Sequence, residues 1–109
     1  FVNNSFELTK ASNIFCMTSI AEGYGNSLIE AMAIGIKIVC SNMKNGGVKD
    51  HLAKNKFVNL FEPGNVNDLY KSLAQALYTP DYSPYMIEES KKFKASIASK
   101  KYLECINKY

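Results

Sequence analysis

Three short apolar runs, set between stretches of helical spacing, constrain this chain more than any other feature. They are Asn13-Ile14-Phe15-Cys16-Met17-Thr18, residues 36–40 and residues 57–61, each the length of a strand rather than a helix. The second is apolar throughout apart from Lys37, as expected for a strand covered on both faces. Residues 27–34 are dense in Leu, Ile, Ala and Met and stop at Gly35, which reads as a helix C-cap. Glu62-Pro63-Gly64 ends the third run. Asn65 then reads as an N-cap, with Asp68 in a first turn where the helix dipole favours negative charge. Val66, Leu69, Tyr70, Leu73, Ala76 and Leu77 recur at helical spacing as far as Tyr78. Ser83-Pro84 carries the cap-then-proline start of another helix. A last helix is expected from near Ser96, with Ile97, Tyr102, Leu103 and Ile106 on it. Buried strands alternating with helices predict an α/β fold, a parallel sheet with flanking helices. Three strands are few for such a fold, and Phe1-Val2 reads as the tail of an earlier one. The natural protein is therefore expected to continue upstream.

With 109 residues the chain makes one domain at most. No apolar run reaches the roughly 18 residues of a membrane span. All 13 basic residues are lysines, against 10 acidic ones, for a net charge of +3. The absence of arginine removes the guanidinium fork that favours bidentate phosphate and base contacts, so no nucleic-acid partner is expected. Lysines 91, 92, 94, 100, 101 and 108 crowd the C-terminal segment. A solvated helix face is the plainer reading, and peripheral contact with acidic membrane lipid the lesser one. Cys16, Cys40 and Cys105 form no close pair. Cys16 and Cys40 read as small buried hydrophobes in a reducing, cytoplasmic compartment. His51 stands alone, so no metal site is expected.

The chemistry concentrates where the first run meets the next helix, at Glu22-Gly23-Tyr24-Gly25-Asn26-Ser27. Ligands of open α/β sheets bind outside the carboxyl ends of the strands. A helix N-terminus there presents free N–H groups and partial positive charge to an anion such as phosphate. Gly23 and Gly25 allow close backbone approach. A Gly-x-Gly turn is by itself a weak signal, being neither a dinucleotide fingerprint nor a Walker loop. Glu30, the one charge in an apolar helix, has two readings. Ser27-Leu28-Ile29-Glu30 fits a capping box, and Glu30 equally fits a ligand contact. Glu22 is either an exposed loop carboxylate or a ligand group.

Residues 18–33, from Thr18 through Glu22-Gly23-Tyr24-Gly25 to Glu30-Ala31-Met32-Ala33, resemble the donor-site signature of the group 1 (GT4) retaining glycosyltransferases. That signature has two glutamates separated by seven residues, the first followed by Gly-aromatic-Gly and the second by Ala-Met-Ala. The likeness continues through Gly35-Ile36-Lys37-Ile38-Val39-Cys40-Ser41-Asn42, through Gly46-Gly47-Val48 with Asp50, and through Leu60-Phe61-Glu62-Pro63-Gly64. It covers about residues 1–78. Lys37 stands where the family usually has proline, and Met43-Lys44-Asn45 lengthens the following loop. The resemblance implies a Rossmann-like sheet, with residues 1–109 as the C-terminal part of a GT-B nucleotide-sugar-binding domain and residues 83–109 as its closing helices.

It also implies roles. Glu22 would face the transferred sugar. Backbone amides of Gly23, Tyr24, Gly25, Asn26, Ser27 and Leu28 would hold sugar and diphosphate. Glu30 would accept hydrogen bonds from the ribose hydroxyls. The donor would be a UDP- or GDP-linked hexose-type sugar, transferred with retention and without metal or other cofactor. The acceptor, a glycan, lipid-linked or small molecule, would bind mainly to an N-terminal domain. Such a fragment alone is not expected to turn over. Two rivals differ in class. A signalling receiver needs acidic residues and a lysine at its strand ends, where this chain has Thr18-Ser19 and Ser41-Asn42. A non-catalytic nucleotide- or partner-binding module would need neither glutamate.

Overall fold

A computed structural model describes residues 3–44, 47–55, 57–94, 103, 104 and 107. Its strands are β1 (Ile14–Met17), β2 (Lys37–Ser41) and β3 (Val58–Phe61), forming a parallel sheet in the order β1-β2-β3. The expected α/β architecture is therefore present. Its helices are α1 (Ser5–Lys10), α2 (Asn26–Ile34), α3 (Val48–Asn55), α4 (Val66–Tyr78) and α5 (Ser83–Ser90), the last running into a 3-10 turn, Lys91–Phe93. Phe1-Val2 and most of the helix expected from Ser96 lie outside the described residues, although residues 103 and 104 are helical.

The central strand explains the packing. Side chains alternate across a strand, so Ile38 and Cys40 point to one face of β2 and Val39 to the other. Ile38 and Cys40 join Met17, Leu28, Met32, Met43, Val48, Leu52 and Met86 in a core shared by α2, α3 and α5. Val39 packs with Phe61 and Ala76 beneath α4, beside Leu69 and Leu73. Both faces are covered, and Ile38, Val39, Cys40 and Ser41 are all buried.

The edge strand corrects one expectation. Cys40 is buried, and desolvation pushes its thiol up to about 11. Cys16 is exposed. It lies on the α4 side of β1, where α4 packs over β3 and β2 and Ile14, not Cys16, reaches the cluster beneath it. Two helices had no forecast. No side chain of α1 is buried, and α3 docks through little more than Val48, Lys49 and Leu52.

Capping confirms two readings and shifts two others. Asn65 accepts from the Asp68 N–H at 3.0 Å, as expected of the N-cap of α4. Gly35 closes α2, its N–H directed at the Ala31 and Met32 carbonyls, with the Ile36 N–H also reaching Ala31. At α5 the cap is supplied two residues earlier than expected: the Asp81 carboxylate accepts from the Ser83 N–H at 2.9 Å. The Ser83 hydroxyl lies within hydrogen-bond reach of both the Asp81 carboxylate and the Gly35 carbonyl, its one proton shared between them, and so links the start of α5 to the end of α2. At α2 the expected capping box is absent. The helix begins at Asn26, with Gly25 preceding it at φ 93° and no side-chain cap. Ser27 lies inside the first turn, and Glu30 is exposed beyond it.

Candidate functional site

The carboxyl ends of β1 and β2 and the turn into α2 meet at one end of the sheet. Residues 18–25 follow β1, and residues 42–44 follow β2. The second crossing returns against the first. The Val48 N–H, opening α3, donates to the Tyr24 carbonyl at 3.2 Å. That approach requires glycine at position 47: a Cβ there would stand 2.9 Å from the Tyr24 carbonyl oxygen, at φ 38°. Gly25 is fixed by its own left-handed φ. Gly23 has neither reason. It lies outside the left-handed region, and a Cβ built on it meets nothing within 4 Å. Nothing in the chain's own packing demands glycine there, and the space beside it is open.

Glu22 is half-buried and held. The Ser19 hydroxyl donates to its Oε1 at 2.6 Å. Ser19 is held in turn, its carbonyl accepting from the hydroxyl of the fully buried Ser41 at the end of β2. Asn42 continues the sheet, its N–H donating to the Phe61 carbonyl at 2.8 Å.

Behind this lies Lys49, only 4% exposed. Its Nζ is 2.5 Å from Asp50 Oδ1 and 3.4 Å from Asn42 Oδ1, so the buried charge is paired, as it must be. Burial is the main cause of the raised Cys40 pKa. Lys49 opposes it, and Cys16 and Glu22 reinforce it. The two strand ends thus bring a cation and a carboxylate close to the same thiol.

The glutamates differ in setting. Glu22 belongs to the anchored turn, whereas Glu30 stands exposed on α2. Tyr24 is 52% exposed, and Leu28 is buried in the core. The Leu28 N–H already donates to the Gly25 carbonyl at 3.0 Å. The N–H groups of Asn26 and Ser27 are therefore the first-turn donors without an intrahelical acceptor. An uncapped helix start beside an open glycine suits an anion chemically. Sequence reasoning missed Lys49 and the roles of Ser19 and Ser41. The serines carried a signal, one standing near each of two strand ends; Lys49, in a mostly polar stretch, carried none.

Residues 1–93 match the family described as glycosyl transferases group 1. The chain belongs to that family. A Campylobacter jejuni protein named N-acetylgalactosamine-N,N'-diacetylbacillosaminyl-diphospho-undecaprenol 4-alpha-N-acetylgalactosaminyltransferase is 30% identical over 77 residues, 71% of this chain and 21% of that protein. An uncharacterized glycosyltransferase of Haemophilus influenzae is 30% identical over 95 residues, 87% of this chain and 27% of its own length. The chain thus spans about a quarter of the length of the curated relatives it matches.

The rest of the surface is consistent with this placement. No helix among the described residues is long and apolar enough to cross a membrane. Lys91 and Lys92 ion-pair with Glu88 and Glu89 at 2.8 and 2.9 Å, the arrangement of a solvated helix face. Lysines 100, 101 and 108 lie outside the described residues.

Proposed function

We propose that this group 1 chain forms one side of the donor site in the C-terminal domain of a GT-B glycosyltransferase. The protein would transfer a hexose-type sugar from a UDP- or GDP-linked donor with retention. The observation that carries this reading is the anchored turn from Glu22 to Gly25. It opens into an uncapped helix, beside a glycine that the chain itself does not require.

The chemistry follows from that turn. Departure of a nucleoside diphosphate concentrates negative charge on the bridging oxygen. The Asn26 and Ser27 amides and the α2 dipole would stabilise that charge with little reorganisation. Glu22 would accept from hydroxyls of the transferred sugar through lone pairs that Ser19 leaves open. Ser19 fixes its direction. Glu30 would accept from adjacent ribose hydroxyls, selecting a ribonucleotide. In this reading the amides and the helix dipole stabilise the leaving group without a metal. The Campylobacter jejuni relative carries a diphospho-undecaprenol saccharide in its name, which makes a lipid-linked acceptor the first class to test. A protein using such an acceptor would work from the cytoplasm in peripheral contact with the membrane.

The test is sugar transfer by the full-length protein from labelled UDP- and GDP-sugars to a lipid-linked saccharide. Transfer is expected, reduced about a hundredfold in Glu22→Ala. Undiminished transfer by that variant would remove Glu22 from the site.

A further inference from the structure

Tyr24 is the one residue between two glycines, so its ring is the only side chain by which residues 23–25 can be held. Its carbonyl is gripped from α3 by the Val48 N–H. Its ring is gripped from the other end of the chain. The Phe93 ring meets it edge-on, with centroids 6.2 Å apart at 71°. Phe93 is itself held edge-on by His51 of α3, at 5.1 Å and 87°. His51 Nε2 is 2.7 Å from Glu89 Oε2 of α5, and Lys92 Nζ is 2.9 Å from Glu89 Oε1. A continuous series of contacts thus runs from α5 and its 3-10 turn, across α3, to the back of the turn at residues 22–25.

We propose that Phe93 is a positioning residue for the donor, setting the backbone of residues 23–25 through the ring of Tyr24, with His51 and Glu89 holding Phe93 in place. The proposal rests on the donor-site reading above. The physical reason is entropic. Glycines on both sides of Tyr24 leave the segment many backbone states, and a ligand held by its amides must select one. Fixing the tyrosine ring makes that selection before the ligand arrives, which is how preorganisation raises affinity. Edge-to-face ring pairs are worth enough to shift a binding constant about two- to tenfold.

The experiment is amide hydrogen exchange on the protein without ligand, for wild type, Phe93→Ala and Phe93→Tyr, followed by titration with a panel of UDP- and GDP-sugars. Phe93 also packs against the core, so β2 and α4 serve as internal controls. The proposal predicts faster exchange at the Leu28 and Val48 amides, which donate to the Gly25 and Tyr24 carbonyls, in Phe93→Ala, unchanged exchange in β2 and α4, and recovery in Phe93→Tyr. It further predicts donor affinity two- to tenfold weaker in Phe93→Ala and restored in Phe93→Tyr. Unchanged exchange at Leu28 and Val48 in a folded Phe93→Ala protein would overturn it. A uniform increase that includes β2 and α4 would overturn it equally, by making Phe93 a general support. Failure of every nucleotide sugar to bind wild type would defeat the donor-site reading and, with it, the ligand role given to Phe93. The exchange pattern would still report whether Phe93 holds the turn.

Discussion

Glu22 is oriented by two serines in series, Ser41 on Ser19 and Ser19 on the carboxylate. Glu30 has no such support and stands in solvent on α2. If both contact a donor, Glu22 is preorganised and Glu30 is recruited. The glycines separate ligand effects from folding effects. Gly47→Ala places a Cβ against the Tyr24 carbonyl at a left-handed φ, and should destabilise the fold by about 1–2 kcal/mol. Gly23→Ala meets no atom and no unfavourable φ, so its stability should stay within about 0.5 kcal/mol of wild type. Its donor affinity should still fall about tenfold, the worth of one backbone hydrogen bond to the ligand. Urea unfolding and calorimetric titration of the two variants check both halves. Residue types at this site were legible in the sequence, because two glutamates and a Gly-aromatic-Gly turn are visible without coordinates. Their supports were not. Ser19, Ser41 and Lys49 matter through interactions that only the pairing of β1 with β2 and the docking of α3 create.

The helices show where pattern reading succeeds and where it stops. All three strands and helices α2, α4 and α5 announce themselves through apolar density, Asn65 or Ser83-Pro84. Helix α3 does not, because Val48 and Leu52 are one apolar pair in an otherwise polar stretch. Helix α1 buries nothing and so leaves no periodic trace. The capping box failed for a different reason. Ser27 and Glu30 have the right spacing, but Gly25 at φ 93° starts the helix before Ser27 can cap it. Substitution separates the two caps. Asn65→Ala should cost about 1 kcal/mol, because it removes a real acceptor for the Asp68 N–H. Ser27→Ala should cost less than about 0.5 kcal/mol, because it removes no cap. Equal losses in thermal unfolding would restore Ser27 as the cap.

On the scale of the molecule, β1 is the edge of the described sheet, and one face of it is open at Cys16. Hydropathy alone could not show this, since an apolar run reads the same at an edge as at a centre. The C-terminal helix is tied to the rest through polar groups with a definite pH response. The Lys92 and His51 hydrogen bonds hold the Glu89 carboxyl below its usual value of 4.5. The Ser83 side chain and N–H hold Asp81 below 3.8. A carboxylate more acidic in the folded state adds stability that is complete above its ordinary pKa. That stability is lost as pH falls through the lowered one. The urea midpoint should therefore drop below about pH 4.5, and drop less in Glu89→Gln, whose side chain does not titrate. Identical pH profiles for the two proteins would deny the His51–Glu89 tie any part in stability.

The central claim is that the end of the sheet carrying Glu22 and Glu30 binds a nucleotide-diphosphate sugar. Thermal unfolding of the protein against a panel of UDP- and GDP-sugars addresses it most directly, because a ligand that binds the native state stabilises it. The gain is about 2.7 kcal/mol at a hundredfold excess over Kd. A raised Tm with one nucleotide sugar, lost in both Glu22→Ala and Glu30→Ala while the unliganded Tm is kept, is the predicted result. Equal stabilisation of wild type and both variants would contradict it.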